Sequence, residues 1–409
     1  MEVLHPRCAG LDVHQKTVVA CVRLAEGRAI HYEHRTFATV AQGLLALAQW
    51  LDEHKVTHVA MEATGVYWKP VWYALDDGER ALTLGNAAHV RGVPGRKTDI
   101  NDAHWLADLH AHGLIRDSFV PDTPTRQLRD LTRTRKQFVR EKTAQIQRVH
   151  KVLEDACLKL GQVVSDIMGP SGRAILAALV AGEQDPAALA AIAGPQFAPK
   201  REALREALRG RITAHHRFLL GLHLGQVDAL DGAIDAIDKE VGERLEPFRD
   251  QVRRLTQIPG VSRTVAHVLA SEIGLDMSRF PTAGHLRSWA GLCPRNDESA
   301  GKKRSTRIGA GDVWLKTALV QSATAATHTK KSYLGAQYRR LKARRGHSKA
   351  VIAVAASILT IAYQMLKTGK DYQDLGVDYF LHSQPEREAN RAVRRLRALG
   401  YEVEIKKAA

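Results

Sequence analysis

The sequence predicts an α/β domain at the N-terminus, then a long helical or coiled-coil segment, then an all-α C-terminal domain. Three observations support this prediction. In the first hundred residues, short runs of β-forming residues alternate with helical patterns. From about residue 124, apolar residues recur at helical spacing over long stretches. The 409 residues also exceed the length of one ordinary core, so several domains are expected.

The N-terminal region, assigned as 1–123, predicts the element order βββαβαβα. The segment AGLDVHQKTVVACVRL is typical of strand, turn and strand, whereas VTHVAMEA and ALTLGN are typical of short strands. Helical spacing occurs in VAQGLLALAQWLDEH and VYWKPVWYALDD. A mixed sheet flanked by helices, with acidic residues at strand ends, is an arrangement that recurs in nucleases.

The next region, 124–250, predicts helices that suit a hairpin, a coiled coil or self-association. One helical pattern runs from about residue 124 to residue 161. A second has a seven-residue repeat, although His223 and Arg244 interrupt the interleaved positions. The repeat consists of Leu220, Val227, Ile234 and Val241. An all-α domain over 251–370 and a charged tail over 371–409, with a helix and a short strand, complete the prediction.

The formal net charge of +16 indicates a polyanionic partner, and nucleic acid is favoured over the alternative of a merely basic protein. The four cysteines form no C-x-x-C pair, which argues against a zinc cluster and a disulfide framework and fits a reducing cytoplasm. We expect no secretory signal at the N-terminus and no membrane partner. The apolar run from Ala350 predicts a buried helix.

Four carboxylates are candidate metal ligands. Asp12 and Glu62 each end an apolar strand, where a charge without a partner is costly. Asp99 and Asp102 lie three positions apart at a predicted helix start, on one side of the helix. If the two strands are neighbours, all four can converge at one sheet edge and bind Mg²⁺. Two such ions can support phosphodiester cleavage.

An ordinary helix start is the alternative for the D-x-x-D pair. Asp99 suits an N-cap, and Asp102 would favour the helix dipole. Arg96 and Lys97, directly before this pair, suit approaching phosphates or simply balance the acids. The presence of two further acids at strand ends favours the metal site.

In the C-terminal region, LTQIPGVSRTVAHVLASEIG is typical of a helix-hairpin-helix, with an ordinary helical turn as the alternative. Gly260 would let the turn approach a DNA backbone. Amides from Val261 and Ser262 onward, at the start of the second helix, could then hold a phosphate.

A basic loop follows, in which Ser299 is a candidate nucleophile on phosphorus, with Ser305 as a rival. Lys302, Lys303 and Arg304 would hold the phosphate. A lone loop serine is more often simply solvated, so these residues alone make a weak signal.

Between residues 330 and 349 there are eight Lys or Arg and no acid, with two tyrosines interleaved. This favours contact with a nucleic-acid backbone over a solvated helix face. The candidate contacts include Arg339, Arg340, Arg344 and Arg345.

Together these segments resemble the DEDD-type transposases of insertion sequences, now understood as bridge-RNA-guided DNA recombinases. The matching segments are GLDVHQKTVVACV, MEATGVYW, GRKTDINDAHWLADL, LTQIPGVSRTVAHVLASEIG, SWAGLCPRNDESAGKKR and GHSKAVIAVA. The resemblance implies a RuvC-like fold for the first domain, with the acidic tetrad on Asp12, Glu62, Asp99 and Asp102. It also implies a C-terminal transposase domain whose catalytic serine falls on Ser299.

The resemblance further implies that Mg²⁺ at the tetrad lies beside the serine of another subunit of a dimer or tetramer, in a nucleoid-associated protein. That serine would attack DNA to form a covalent intermediate, while a noncoding bridge RNA pairs with donor and target DNA. Many members read Ser-Gly-Lys at the serine, whereas this chain reads Ser299-Ala300-Gly301-Lys302, which keeps Ser305 open as the nucleophile. Two alternatives remain: a Holliday-junction-type endonuclease without a covalent step, and a non-enzymatic nucleic-acid-binding scaffold.

Overall fold

The chain divides into two compact units, unit 1 over 1–120 and unit 2 over 121–409. A computed structural model describes residues 3–27, 29–63, 65–86, 102–294, 297–299, 302–305, 307–383 and 385–404.

The described part of unit 1 contains a five-stranded mixed sheet with the spatial order β3-β2-β1-β4-β5. The strands are β1 (Arg7–Val13), β2 (Thr17–Glu26), β3 (Ala29–Ala38), β4 (His58–Glu62) and β5 (Ala81–Gly85). The first three form an antiparallel meander, whereas β4 is parallel to β1 and β5 is parallel to β4. This confirms the predicted mixed sheet.

Helices cover both faces of this sheet, as predicted. Helices α1 (Ala41–Glu53) and α2 (Trp68–Leu75) pack on one face over the main apolar core, and α3 (Asp102–Ala111) packs on the other. Side chains alternate between the two faces of β1, and Ala9, Leu11 and Val13 point into the main core. Gly10 and Asp12 therefore face α3.

The described part of unit 2 is helical except for one two-stranded hairpin. Its first helices are α4 (Thr123–Asp155), α5 (Leu160–Val163), α6 (Pro170–Ala181), α7 (Pro186–Ile192), α8 (Arg201–Ala207) and α9 (Ala214–Leu245). The hairpin consists of β6 (Asp297–Ser299) and β7 (Lys302–Ser305). The later helices are α10 (Arg249–Leu255), α11 (Arg263–Ile273), α12 (Ala283–Trp289), α13 (Val313–Thr327), α14 (Tyr333–Arg345), α15 (His347–Thr368), α16 (Tyr379–His382) and α17 (Pro385–Ala398).

The long helices α4 and α9 pack against each other as an antiparallel pair. Arg135 Nε donates to Asp238 Oδ1 at 2.6 Å. Further along α4, Lys142 pairs with Asp231. As the number rises along one helix, the partner's number falls along the other. The repeat at Leu220, Val227, Ile234 and Val241 is buried. The predicted hairpin therefore forms within one chain.

The first long helix is shorter than the sequence predicts. It ends at Asp155 rather than near residue 161, because the chain turns at Cys157, whose φ is +57°. The amide of Leu158 donates back to the carbonyl of Leu153 at 2.8 Å and closes the helix end. Leu160 then enters the core of the small helices α5–α8. The apolar stripe continues past the turn because both elements share this core.

The apolar run from Ala350 forms α15, and its inner face is buried, as predicted. Among the described residues, α15 is the one helix that is long and apolar enough to span a membrane. Half of its most apolar segment is buried inside the protein. The tail contains the predicted helix as α17, whereas 401–404 form no strand.

Candidate active site

Asp12 and Glu62 lie on neighbouring parallel strands. The register of β1 and β4 pairs Leu11 with Met61, so the next pair along places Asp12 beside Glu62. Leu11 and Met61 belong to the main core, and alternation therefore turns both acids to the α3 face. Both side chains are half-buried at the carboxyl end of their strands.

Asp102 reaches the same edge because it begins α3. A Cβ atom on Gly10 would lie 2.2 Å from the carbonyl oxygen of Ala103, so the helix and β1 touch backbone to backbone. Cys8 Sγ lies 3.5 Å from the carbonyl oxygen of Ala107, further along the helix. The helix therefore runs antiparallel to β1, and its first residue lies at the Asp12 end.

The register of β1 and β4 and the direction of α3 thus place the backbones of three of the four predicted acids at one edge of the sheet. Half-buried carboxylate oxygens from two strands and a helix start are the donor set that hard divalent cations prefer. The fourth acid, Asp99, and the preceding Arg96 and Lys97 lie outside the described residues.

One neighbour of the acids was not predicted. His14, on the turn after β1, places Nε2 3.1 Å from Asp12 Oδ2. The sequence VHQK gives little indication that His14 contacts Asp12, since an exposed histidine in a turn is usually solvated.

A second unpredicted contact fixes α3 to the meander. Asp108 Oδ1 accepts from Arg23 Nε at 3.0 Å and from the hydroxyl of Tyr32 at 2.7 Å. The Arg23 side chain is 1% exposed, so this carboxylate neutralises a buried cation. The contact joins residues more than seventy positions apart, and no local pattern indicates it.

In unit 2, the segment for which a helix-hairpin-helix was predicted forms α10, a turn and α11. Gly260 has φ +85°, and a Cβ there would lie 2.1 Å from the carbonyl oxygen of Ser322 in α13. The glycine is thus required by packing within the chain. The amide of Val261 donates to Ile258 at 3.0 Å and is already used by the turn, whereas Ser262 caps α11 by accepting from Val265 N at 3.3 Å.

Ser299 ends β6 opposite Lys302, at the tip side of the hairpin, and Lys303 and Arg304 follow in β7. The rival Ser305 pairs with Asp297 at the hairpin base, where its Oγ accepts from the amide of Arg307 at 3.2 Å.

A charged network lies among the helices of unit 2. Asp312 caps α13 by accepting from Leu315 N at 2.7 Å and also pairs with Arg133 Nη2 at 2.9 Å. Arg133 in turn forms a bidentate pair, at 2.8 and 2.7 Å, with Glu272, which is fully buried. Burial raises the pKa of Glu272 and the Arg133 guanidinium opposes this shift. The network connects α4, α11 and α13.

The basic run lies mainly on α14. Arg344 and Arg345 are exposed in its last turn. Arg339 donates to the carbonyl of Lys330 at 3.1 Å, whereas Arg340 lies 3.6 Å from Glu388 in α17. Arg340 is therefore partly neutralised within the chain.

Comparison with known proteins identifies the family. The DEDD transposase model of IS110 matches residues 9–158, and the model described as transposase of the IS116/IS110/IS902 family matches residues 252–339. An insertion element IS110 protein of 43.6 kDa from Streptomyces coelicolor is 33% identical over 123 residues, 29% of each chain. The chain thus spans less than a third of that relative.

Two longer matches cover most of the chain. The pilin gene-inverting protein of Moraxella bovis is 22% identical over 89% of this chain and 96% of its own length. The transposase of insertion sequence element IS1111A from Coxiella burnetii is 24% identical over 78% of this chain and 80% of its own. The chain belongs to the IS110 family of insertion-sequence transposases, which rearrange DNA.

Proposed function

We propose that this transposase cuts and exchanges DNA strands with a divalent-metal site in unit 1 and a serine nucleophile in unit 2. Asp12, Glu62, Asp99 and Asp102 are the proposed metal ligands, and Ser299 is the proposed nucleophile. The observation that carries the proposal is the position of Asp12 beside Glu62, on the face where α3 begins with Asp102. The meander followed by two parallel strands is consistent with the RuvC-like fold expected from the family resemblance.

The donor set fits Mg²⁺. Clustered carboxylates repel one another, and Mg²⁺, which prefers oxygen ligands, would remove this repulsion. When bound, Mg²⁺ would polarise the phosphate and stabilise charge on the oxygens that gain it. The family resemblance favours two ions. The protein's own contribution is rigidity, because Asp12 and Glu62 lie on central strands and Asp102 on a helix packed against β1.

Strand exchange rather than hydrolysis is supported by a relative. The Moraxella bovis protein is named for gene inversion, which requires that cut strands be rejoined. In the proposed step, Ser299 Oγ loses its proton and bonds to phosphorus, while the bond from phosphorus to one strand oxygen breaks and a hydroxyl end leaves. The phosphoserine ester conserves the bond energy for rejoining, whereas hydrolysis would lose it.

Cations of unit 2 would hold the nucleic acids. Lys302, Lys303 and Arg304 flank Ser299, and Arg344 and Arg345 are exposed on α14. We infer that they contact phosphates of DNA or of the bridge RNA expected from the family resemblance. Because the α4–α9 seam is filled within one chain, self-association would use other surfaces. Recombination of two DNA sites favours a dimer or tetramer.

The experiment is strand exchange between plasmid-borne element ends, with the noncoding RNA supplied, for the wild type and for Asp12→Asn, Glu62→Gln, Asp102→Asn, Ser299→Ala and Ser305→Ala. Glu53→Gln, at the exposed end of α1, is the matched control. We expect each metal-ligand variant and Ser299→Ala to lose at least about 100-fold in activity, with DNA binding retained. The Glu53 and Ser305 variants should keep wild-type rates.

Covalent protein–DNA adducts, trapped by denaturation during the reaction, separate the alternatives. An adduct that persists in Ser299→Ala would contradict the nucleophile assignment, and cleavage without any adduct would favour the hydrolytic endonuclease. If Glu62→Gln cleaves at the wild-type rate, the acidic residues are structural and the proposed metal site fails.

A further inference from the structure

We propose a second metal site in unit 1, distinct from the acidic edge, in which Cys21, His34 and His104 bind a zinc-class ion. One ligand atom from each side chain lies within 4.8 Å of the other two. The three residues come from β2, β3 and α3, so the site would join three elements. Thiolate and imidazole are the ligands that Zn²⁺ prefers, in contrast to the oxygen set of the acids.

The distances suit tetrahedral coordination. Cys21 Sγ lies 3.6 Å from His34 Nε2. Two ligands at Zn–S of about 2.3 Å and Zn–N of about 2.0–2.1 Å, at a tetrahedral angle, are themselves about 3.6 Å apart. The pair is thus already at ligand spacing, and His104 needs only a small side-chain movement to close from within 4.8 Å.

The surroundings hold the rings in place. The backbones of Cys21 and His34 are direct partners in the β2–β3 ladder, which fixes their spacing. The ring of His104 stacks on Tyr32 at 4.0 Å and lies nearly parallel to His34. Asp108 Oδ2 is 3.4 Å from His104 Nε2, the carboxylate–histidine contact that orients metal-binding imidazoles.

The site has one buried side and one open side. Cys21 is buried, His104 is half-buried and His34 is exposed, so an ion can enter past His34. Water would complete the four ligands.

The position suggests what the ion would do. His104 lies one residue beyond Ala103, whose carbonyl touches Gly10, and two beyond Asp102. An ion held by β2, β3 and His104 would therefore pin the helix start that carries a proposed Mg²⁺ ligand. The ion would act as a positioning element.

The test uses the full chain, stripped with a chelator, exchanged into excess Mg²⁺ to fill oxygen sites, and titrated with Co²⁺. We expect about one Co²⁺ per chain with a thiolate-to-cobalt charge-transfer band and the visible bands of tetrahedral Co²⁺, both displaced by Zn²⁺. Cys21→Ser and His34→Ala should abolish the charge-transfer band. Cys157→Ser, an exposed thiol in unit 2, and His31→Ala, exposed on β3, are the matched controls.

A melting experiment covers the case in which Cys21→Ser is unstable. Zn²⁺ should raise the melting temperature of the wild type and of His31→Ala, but not of His34→Ala. Because the His34 side chain is exposed, its replacement should itself change the stability of the metal-free chain only slightly. The proposal is overturned if the wild type shows no thiolate band, if Cys21→Ser or His34→Ala retains it, or if Zn²⁺ stabilises His34→Ala as much as the wild type. If the acid variants lose strand exchange but keep the cobalt band, the Cys21 site binds metal independently of the acidic edge.

Discussion

Gly10 is the residue on which the acidic edge depends most closely without being a ligand. It lies two positions before Asp12 on the same face of β1, and α3 touches its Cα. A Cβ there would approach backbone atoms at 2.2 and 2.4 Å, and backbone cannot rotate away as a side chain can. The glycine therefore sets how closely Asp102 approaches Asp12.

Replacing Gly10 with Ala should push α3 off the sheet. We expect unit 1 to lose about 1–3 kcal/mol of unfolding free energy from overpacking, measured by denaturant unfolding, together with strand-exchange activity. Gly225→Ala is the control, since Gly225 is exposed within α9 with open space at its Cα. That change should stabilise the chain by roughly 0.5–1 kcal/mol. Equal stability of Gly10→Ala and wild type would show that the helix does not depend on this contact.

At the scale of elements, α3 carries side chains of both proposed metal sites of unit 1. It begins with Asp102, bears His104 and Asp108 toward the meander, and ends near His110, which is 4% exposed. Burial and the neighbouring His5 and His58 lower the pKa of His110 to about 4.

This pKa makes the docking of α3 sensitive to acid. The unfolded chain has a histidine pKa near 6.5, so between pH 6.5 and pH 4 the unfolded state binds more protons than the folded state. The stability contributed by neutral His110 is therefore fully present above pH 6.5 and is lost as the pH falls toward 4, by up to about 3 kcal/mol. Unfolding titrations across this range should show a flatter pH dependence in His110→Gln, with exposed His31→Gln unchanged. The same slope in His110→Gln and wild type would rule out this role.

The elements themselves could largely be predicted from the sequence, because each has a local pattern. β1 and β4 are short apolar runs, and α9 has a seven-residue apolar repeat; the residues of these patterns are buried in the structure. The end of α4 at Asp155 could not be predicted, because the stripe continues into the next element through a turn at Cys157 that no glycine or proline marks.

At the scale of the whole molecule, the two candidate sites differ in how visible they are in the sequence. Asp12 and Glu62 were recognisable because a charge ending an apolar strand is unusual locally. Cys21 and His34 are separated by thirteen positions, and they meet only through antiparallel pairing. His104 joins them only when α3 docks, so the absence of a C-x-x-C pair pointed away from a zinc site.

The most direct test of the central claim, a divalent-metal site to which Asp12, Glu62 and Asp102 contribute, is Mn²⁺ binding followed by electron paramagnetic resonance. The chain should first receive one equivalent of Zn²⁺ to occupy the Cys21 site, and unbound Zn²⁺ should then be removed. We expect the wild type and Glu53→Gln to bind Mn²⁺ in competition with Mg²⁺, and Asp12→Asn, Glu62→Gln and Asp102→Asn each to bind at least about tenfold more weakly. Wild-type Mn²⁺ affinity in all three acid variants would contradict the metal site.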